Sequence, residues 1–127
     1  MNIKISGTVT DGAKRGRKIG FPTANITLNP DYKVENGVYA AKVVLDGITF
    51  GGVANVGTHP TVDESRTTLL EVHIFDFTSD IYGKKIEIIL IEKIRDEQRF
   101  ETMEALTKAI EKDCKTAREI LNKYQHN

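Results

Sequence analysis

Tryptophan is absent from this 127-residue chain, cysteine occurs once, and neither sign of charge is in excess. Each shortage removes a class of function. The lone Cys114 excludes an internal disulfide and any cysteine-based zinc site, which fits a reducing compartment. Lys and Arg number 18 and Asp and Glu 18, so the net charge is zero and the pI near 6.8. A general nucleic-acid binder shows a basic excess, and here there is only a local basic cluster. No N-terminal apolar run has signal length, and no stretch approaches the roughly 18 apolar residues of a membrane span. We therefore expect a soluble, cytoplasmic protein with no membrane and no nucleic-acid partner. Repeats, low-complexity tracts and a Walker-type phosphate loop are also missing. The histidines at 59, 73 and 126 lie in no Ser-His-Asp pattern. At this length residues 1–127 form one domain, burying about two-thirds of its unfolded surface.

Against these absences stands one dense stretch, Gly16-Arg17-Lys18-Ile19-Gly20-Phe21-Pro22-Thr23-Ala24-Asn25. Gly16 and Gly20 allow close backbone approach to a ligand. Lys14, Arg15, Arg17 and Lys18 supply charge suited to phosphate oxygens. Thr23 and Asn25 offer hard neutral oxygens two residues apart, on the same side of an extended backbone. Mg²⁺ favours such oxygens beside phosphates, because it keeps several waters and takes few protein ligands. A basic surface loop before a proline turn is the alternative, since glycine-rich loops are a weak signal alone.

The chain in order reads as strands followed by one helix. Residues 2–10 alternate, with Ile3, Ile5 and Val9 on one side. Phe21 to Leu28 is extended, with Pro22 at a strand start or edge. Gly37 to Asp46 places Tyr39, Ala41, Val43 and Leu45 on one face. Asp46-Gly47 is a hairpin turn into a strand from Ile48 to Val56, where Gly51-Gly52 predicts a bulge or sharp bend. A polar loop from Gly57 to Arg66 leads to a strand from Thr67 to Phe77. Lys84 to Ile94 follows, with Ile86, Ile88, Leu90 and Ile94 on one face. Strands at this spacing, all within 2–94, predict an antiparallel sheet closing into a barrel. The pattern then changes period. Met103, Leu106, Ile110, Ala117, Leu121 and Tyr124 mark a helix over about 102–124, capped by Thr102. Glu104–Lys108, Glu111–Lys115 and Glu119–Lys123 are spaced for i,i+4 pairs. This helix should lie against the barrel, close one end of it, and keep Cys114 as a packed thiol.

One strand carries a candidate base. Alternation in Thr67 to Phe77 puts Leu70, Val72 and Ile74 on one face and Glu71, His73, Phe75 and Phe77 on the other. That second face is either solvent, with Glu71 a surface acid, or a site in which the carboxylate works. Tyr82-Gly83 reads as a turn, Arg95 as a helix-capping or ion-pairing residue, and Phe100 as a core plug. Together, the cation-rich loop, the Thr23/Asn25 oxygens and Glu71 make a kit for phosphoryl transfer. That reaction needs positioning, charge stabilisation and a proton acceptor for the attacking hydroxyl.

The ordered set of motifs resembles the riboflavin kinase family. It comprises Gly16-Arg17-x-x-Gly20-Phe-Pro-Thr-Ala-Asn25, Gly37-Val-Tyr39, Asn55-Val-Gly57-x-x-Pro60-Thr61 and Glu71-Val-His73-Ile-Phe-Asp-Phe77, then Tyr82-Gly83 and Ile94-Arg95-x-Glu97-x-x-Phe100. These run from about residue 6 to the final helix. The resemblance implies a six-stranded antiparallel Greek-key β-barrel with a C-terminal α-helix packed against it. It implies transfer of the ATP γ-phosphoryl to the ribityl 5′-hydroxyl of riboflavin, giving FMN and ADP, with Mg²⁺ as cofactor. By the same resemblance Thr23 and Asn25 bind metal and nucleotide phosphates, with Gly12, Lys14, Gly16, Arg17, Gly20 and Pro22 around the nucleotide. Glu71 is the base, and Arg95, Glu97 and Phe100 lie at the flavin. Bacterial relatives usually carry an FMN adenylyltransferase domain as well. None of its motifs is in these residues, so the chain reads as a free-standing kinase or an excised module, and that domain is a candidate partner.

Three rival readings differ by cheap observations. A non-catalytic flavin- or nucleotide-binding sensor has no use for a hydroxyl-activating base, so Thr23, Asn25 and Glu71 together disfavour it. An RNA-binding barrel predicts steep salt dependence and exposed stacking aromatics. A kinase using CTP is told apart only by the nucleotide it accepts.

Overall fold

The computed structural model describes residues 2–10, 20–29, 32–60, 66–77 and 79–125. Gly12, Lys14, Gly16 and Arg17 lie outside the described residues. Six strands are followed by one helix: β1 (Ile3–Thr8), β2 (Ala24–Thr27), β3 (Gly37–Leu45), β4 (Ile48–Pro60), β5 (Arg66–Ile74), β6 (Lys85–Arg95) and α1 (Met103–Gln125). All neighbours are antiparallel in the order β1-β6-β3-β4-β5-β2. Because β6 returns beside β3 of the β3-β4-β5 meander, this is the Greek-key arrangement. The sheet curls so that its edges meet at a bridge, Thr10 with Asn25, where the Thr10 amide donates to the Asn25 carbonyl at 2.7 Å. No ladder between β1 and β2 is present among the described residues.

Alternation sets the inner face. Tyr39, Ala41, Val43 and Leu45 of β3 meet Leu70, Val72 and Ile74 of β5 and Ile86, Ile88 and Leu90 of β6 in one buried cluster. The β3–β4 hairpin turns at Asp46 (φ 50°) and Gly47 (φ 80°). Positive φ at both central residues is the turn whose twist matches the flanking strands, and Asp-Gly is chemistry suited to it.

Several expectations change. Of the bulge or sharp bend expected at Gly51-Gly52, the bulge is absent, because β4 pairs with β3 in unbroken register through it. These glycines provide clearance instead. A Cβ at Gly52 would lie 2.6 Å from the His73 carbonyl oxygen, and one at Gly51 would lie 2.9 Å from Leu121 Cδ1 of α1. The expected polar loop from Gly57 is strand as far as Pro60, since β4 stays paired with β5 down to Pro60 and Arg66. β5 in turn stops at Ile74, where Phe75 and Asp76 turn and Asp76 takes φ 56°. Ile94 does not share the inner face, because two register shifts on β6 each add an unpaired residue. A bulge breaks the alternation, so Ile91 and Ile94 join the outer cluster.

The helix position changes as well. It does not plug a barrel end; it lies on the outer face, where Val38, Ala40, Val53, Phe75 and Ile91 receive Ala117 and Leu121. β3 is apolar on both faces for this reason. Thr102 caps the helix as expected, its hydroxyl accepting the Ala105 amide at 3.1 Å. Of the three expected i,i+4 pairs, Glu104–Lys108 alone closes, at 3.3 Å. Met103 and Tyr124, assigned to the apolar stripe, are exposed at the two ends. Cys114 packs half-buried against the outer cluster, and burial pushes its thiol above the ordinary range.

Candidate active site

Register builds the site. Asn25 of β2 stands opposite Glu71 of β5, Glu71 opposite Asn55 of β4, Asn55 opposite Val38 of β3, and Val38 opposite Arg95 of β6. Directly opposed residues share a face, with Cβ atoms about 5 Å apart. One row across five strands therefore carries Asn25, Glu71, Asn55, Val38 and Arg95 on the outer face, with α1 packed on its β4, β3 and β6 side. The face bearing Glu71 is neither bare solvent nor closed core: Glu71 and His73 are half-buried, Asn55 is exposed, and Phe75 is buried under the helix.

Asn25 is the unusual member. It is 4 % exposed, and its backbone carbonyl is satisfied by the Thr10 amide and hydroxyl. Its side-chain Oδ1 is buried without a hydrogen-bond partner. Leaving such an acceptor unpaired costs about 1–3 kcal/mol, and native structures hold few of them. An acceptor held dry beside a carboxylate suits a ligand that brings its own positive charge or donors. Among the described residues no group of three or more His, Cys, Asp or Glu could hold a metal ion. A cation here would therefore rest on neutral oxygens and on its own phosphate ligands, as Mg²⁺ does.

The turn before Asn25 is tied to β5. Gly20 takes φ 87°, and the Pro22 carbonyl lies 2.8 Å from His73 Nδ1. The Phe21 ring stands edge-on to the His73 ring at 5.4 Å.

At the other end of the row, Arg95 is turned toward the helix. Its Nε donates to Asp113 Oδ1 at 2.9 Å and Oδ2 at 3.2 Å, its Nη2 to Oδ2 at 2.8 Å, and its Nη1 to the Asp96 carbonyl at 3.1 Å. Its guanidinium also lies 5.5 Å from the Phe100 ring centroid, so Phe100 is a partner of Arg95, not a core plug. Glu97 returns to the outer face by another route. Its carboxylate covers Gly57, and a Cβ at that position would collide with Glu97 Oε2. The chain between β6 and α1 is fixed further by Lys93, which pairs with Glu35 and Asp96 at 2.7 Å each. Hydrogen bonds to Asp96 and Glu35 hold the Lys93 ammonium above its usual range, and Lys93 in turn holds the Asp96 carboxyl below its own. Burial raises the Tyr39 phenol, whose hydroxyl donates to the Glu35 carbonyl at 2.5 Å.

The structure thus brings Asn25 and Glu71 side by side and gathers Arg95, Glu97 and Phe100 around the β6–α1 connection. Pro22, Thr23 and Gly20 lie in the turn leading to Asn25. Three neighbours were not assigned from sequence: Asn55, His73 and Asp113. Asn55 needed the register. Asp113 was visible as an acid between Ile110 and Ala117 on the helix's apolar side.

Comparison with known proteins gives the family. The family model described as riboflavin kinase (flavokinase) matches residues 1–121. A curated bifunctional riboflavin kinase/FMN adenylyltransferase from Haemophilus influenzae is 48% identical over 120 residues, covering 94% of this chain and 39% of the relative. An RNA-binding riboflavin kinase from Bacillus subtilis is 46% identical over 109 residues, covering 86% of this chain and 47% of that protein. Among solved structures, riboflavin kinase from Trypanosoma brucei superposes with a TM-score of 0.66 at 26% identity, covering 96% of this chain and 81% of that one. The chain spans less than half the length of these curated relatives. Because one relative is named for RNA binding, the expected absence of a nucleic-acid partner does not follow from the family. No helix among the described residues is long and apolar enough to cross a membrane. By sequence and by fold, the chain belongs to the riboflavin kinase family.

Proposed function

We propose that the outer face around Asn25 and Glu71 transfers the γ-phosphoryl group of ATP to the ribityl 5′-hydroxyl of riboflavin, giving FMN and ADP. The observation that carries this reading is the pairing of Asn25, with its orphaned buried Oδ1, directly opposite Glu71. Family membership suggests the substrates, and the opposed positions of Asn25 and Glu71 support the following roles. Glu71 accepts the hydroxyl proton as the new oxygen–phosphorus bond forms and the bond from the γ-phosphorus to the bridging oxygen breaks. Asn25 Oδ1 and the Thr23 hydroxyl are the neutral oxygens for Mg²⁺. That ion neutralises charge on the β- and γ-phosphates when it is bound with the nucleotide. Glu97 and Phe100 face the flavin, and Arg95, engaged by Asp113, holds their segment in place. FAD formation, the second activity in the Haemophilus relative's name, is not assigned to these residues.

The test is direct. Purified protein is incubated with riboflavin, Mg²⁺ and either ATP or CTP, and the flavins are separated by chromatography. FMN forming in proportion to protein and only with ATP is the expected result. FMN with CTP alone would replace the nucleotide, and no FMN with either would leave a flavin-binding module in place of an enzyme.

A further inference from the structure

β5 contributes a second residue to the outer face. His73 lies two positions from Glu71, about 7 Å along the same strand and on the same side. Its Nδ1 is 2.8 Å from the Pro22 carbonyl oxygen. A carbonyl can only accept, so Nδ1 carries the hydrogen in this bond, and in the neutral ring Nε2 is left as the acceptor. The ring is held from both sides. Phe21 meets it edge-on at 5.4 Å, and Phe75 does so at 6.0 Å with an interplanar angle of 71°. Phe75 is itself buried and capped by the Arg118 guanidinium at 4.1 Å from its centroid. Arg118 in turn reaches Asp76 at 3.6 Å. A continuous stack therefore runs from α1, across the end of β5, to the turn that delivers Thr23 and Asn25.

That turn needs an external hold. Residues 20–23 precede β2 and take part in no ladder. Among the described residues, the hydrogen bond reaching them from another element is the one from His73. We propose that His73 is a positioning residue for riboflavin phosphorylation: its Nδ1–H fixes the Pro22 carbonyl, and through it the Thr23 and Asn25 oxygens, at a set place relative to Glu71. The strand that carries the base thereby also sets the position of the phosphate-facing turn. This inference rests on the proposed roles of Thr23 and Asn25.

Matched amide substitutions test it. His73→Asn puts an amide N–H near the place of Nδ1, whereas His73→Gln puts one near Nε2; both lose the ring and its packing on Phe21 and Phe75. Comparing the two variants therefore reads the donor position at similar packing loss. The dissociation constant for MgADP, by titration calorimetry, is the readout independent of turnover. In His73→Gln and His73→Ala we expect it to rise about tenfold, the upper range for one hydrogen bond, with a matching rise in KM for MgATP. KM for riboflavin should stay within about twofold, and His73→Asn should remain close to wild type in all three. Equal MgADP affinity for the Asn and Gln variants, whether both weakened or both unchanged, would overturn the proposal. So would a loss confined to thermal stability or to riboflavin KM. If the wild-type protein binds MgADP but forms no FMN, the kinase reading fails while the calorimetric comparison still decides the role of His73.

Discussion

Replacing Glu71 by Gln is expected to lower kcat by about 10²- to 10⁴-fold, the usual worth of a positioned general base. Affinities for riboflavin and MgADP should stay within a few-fold. The carboxamide has the shape of the carboxylate and retains one acceptor, so the row Asn25–Glu71–Asn55 keeps its geometry. What it loses is the capacity to take a proton. Stability should change little, because Glu71 is only half-buried and lies on the outer face, away from the inner cluster. Steady-state kinetics with both substrates varied, together with a thermal melt, check the split. A variant with near-normal turnover removes Glu71 from the base role, and one that loses affinity in proportion to turnover makes it a binding residue.

Replacing Asp113 by Ala should have the largest effect on stability. The Asp113 side chain is 6% exposed and holds Arg95, which is 26% exposed, through three N–H···O contacts. Removing one partner of a fully buried pair costs about 3–5 kcal/mol, because the survivor is left unpaired. Arg95 retains some solvent, so about 2–3 kcal/mol is expected here, or a fall on the order of 10 °C in Tm for a domain of this size. The double variant Arg95→Met with Asp113→Leu should recover much of that loss, since well-packed apolar residues commonly replace a buried pair without penalty. It should still raise KM for riboflavin, because Arg95 no longer anchors Asp96 and Phe100. Melts and kinetics on the single and double variants separate the two roles. A single variant within about 0.5 kcal/mol of wild type would show that the ion pair does not hold α1 to the sheet.

Strand faces were legible wherever one side of a strand is buried and the other is not. Ile86, Ile88 and Leu90 alternate with Glu87 and Ile89, and the inner cluster takes the first set. Asp46-Gly47 and Thr102 were legible because turn and cap chemistry is local. The bulges on β6 were not, since an unpaired residue is defined only against the partner strand. Ile94 was misplaced for that reason. The position of α1 was hidden by β3, whose Val38 and Ala40 serve the outer face while Tyr39 and Ala41 serve the inner one. A strand apolar on both sides signals two coverings, and that signal was available in Gly37–Leu45. The clearance that glycines 51 and 52 provide was not legible, because it concerns α1 and β5, which are distant in sequence. For the site, Glu71 and Asn25 stood out as residue types, but only the register shows that they face each other, with Asn55 third in the row.

The most direct test of the site is a crystal structure of the protein with ADP, riboflavin and Mn²⁺ in place of Mg²⁺, with the metal located by its anomalous signal. The account predicts metal at coordination distance, about 2.2 Å, from Asn25 Oδ1, and the ribityl terminal hydroxyl within about 3 Å of the Glu71 carboxylate. Metal bound away from Asn25, with the ribityl chain leading away from Glu71, would contradict it.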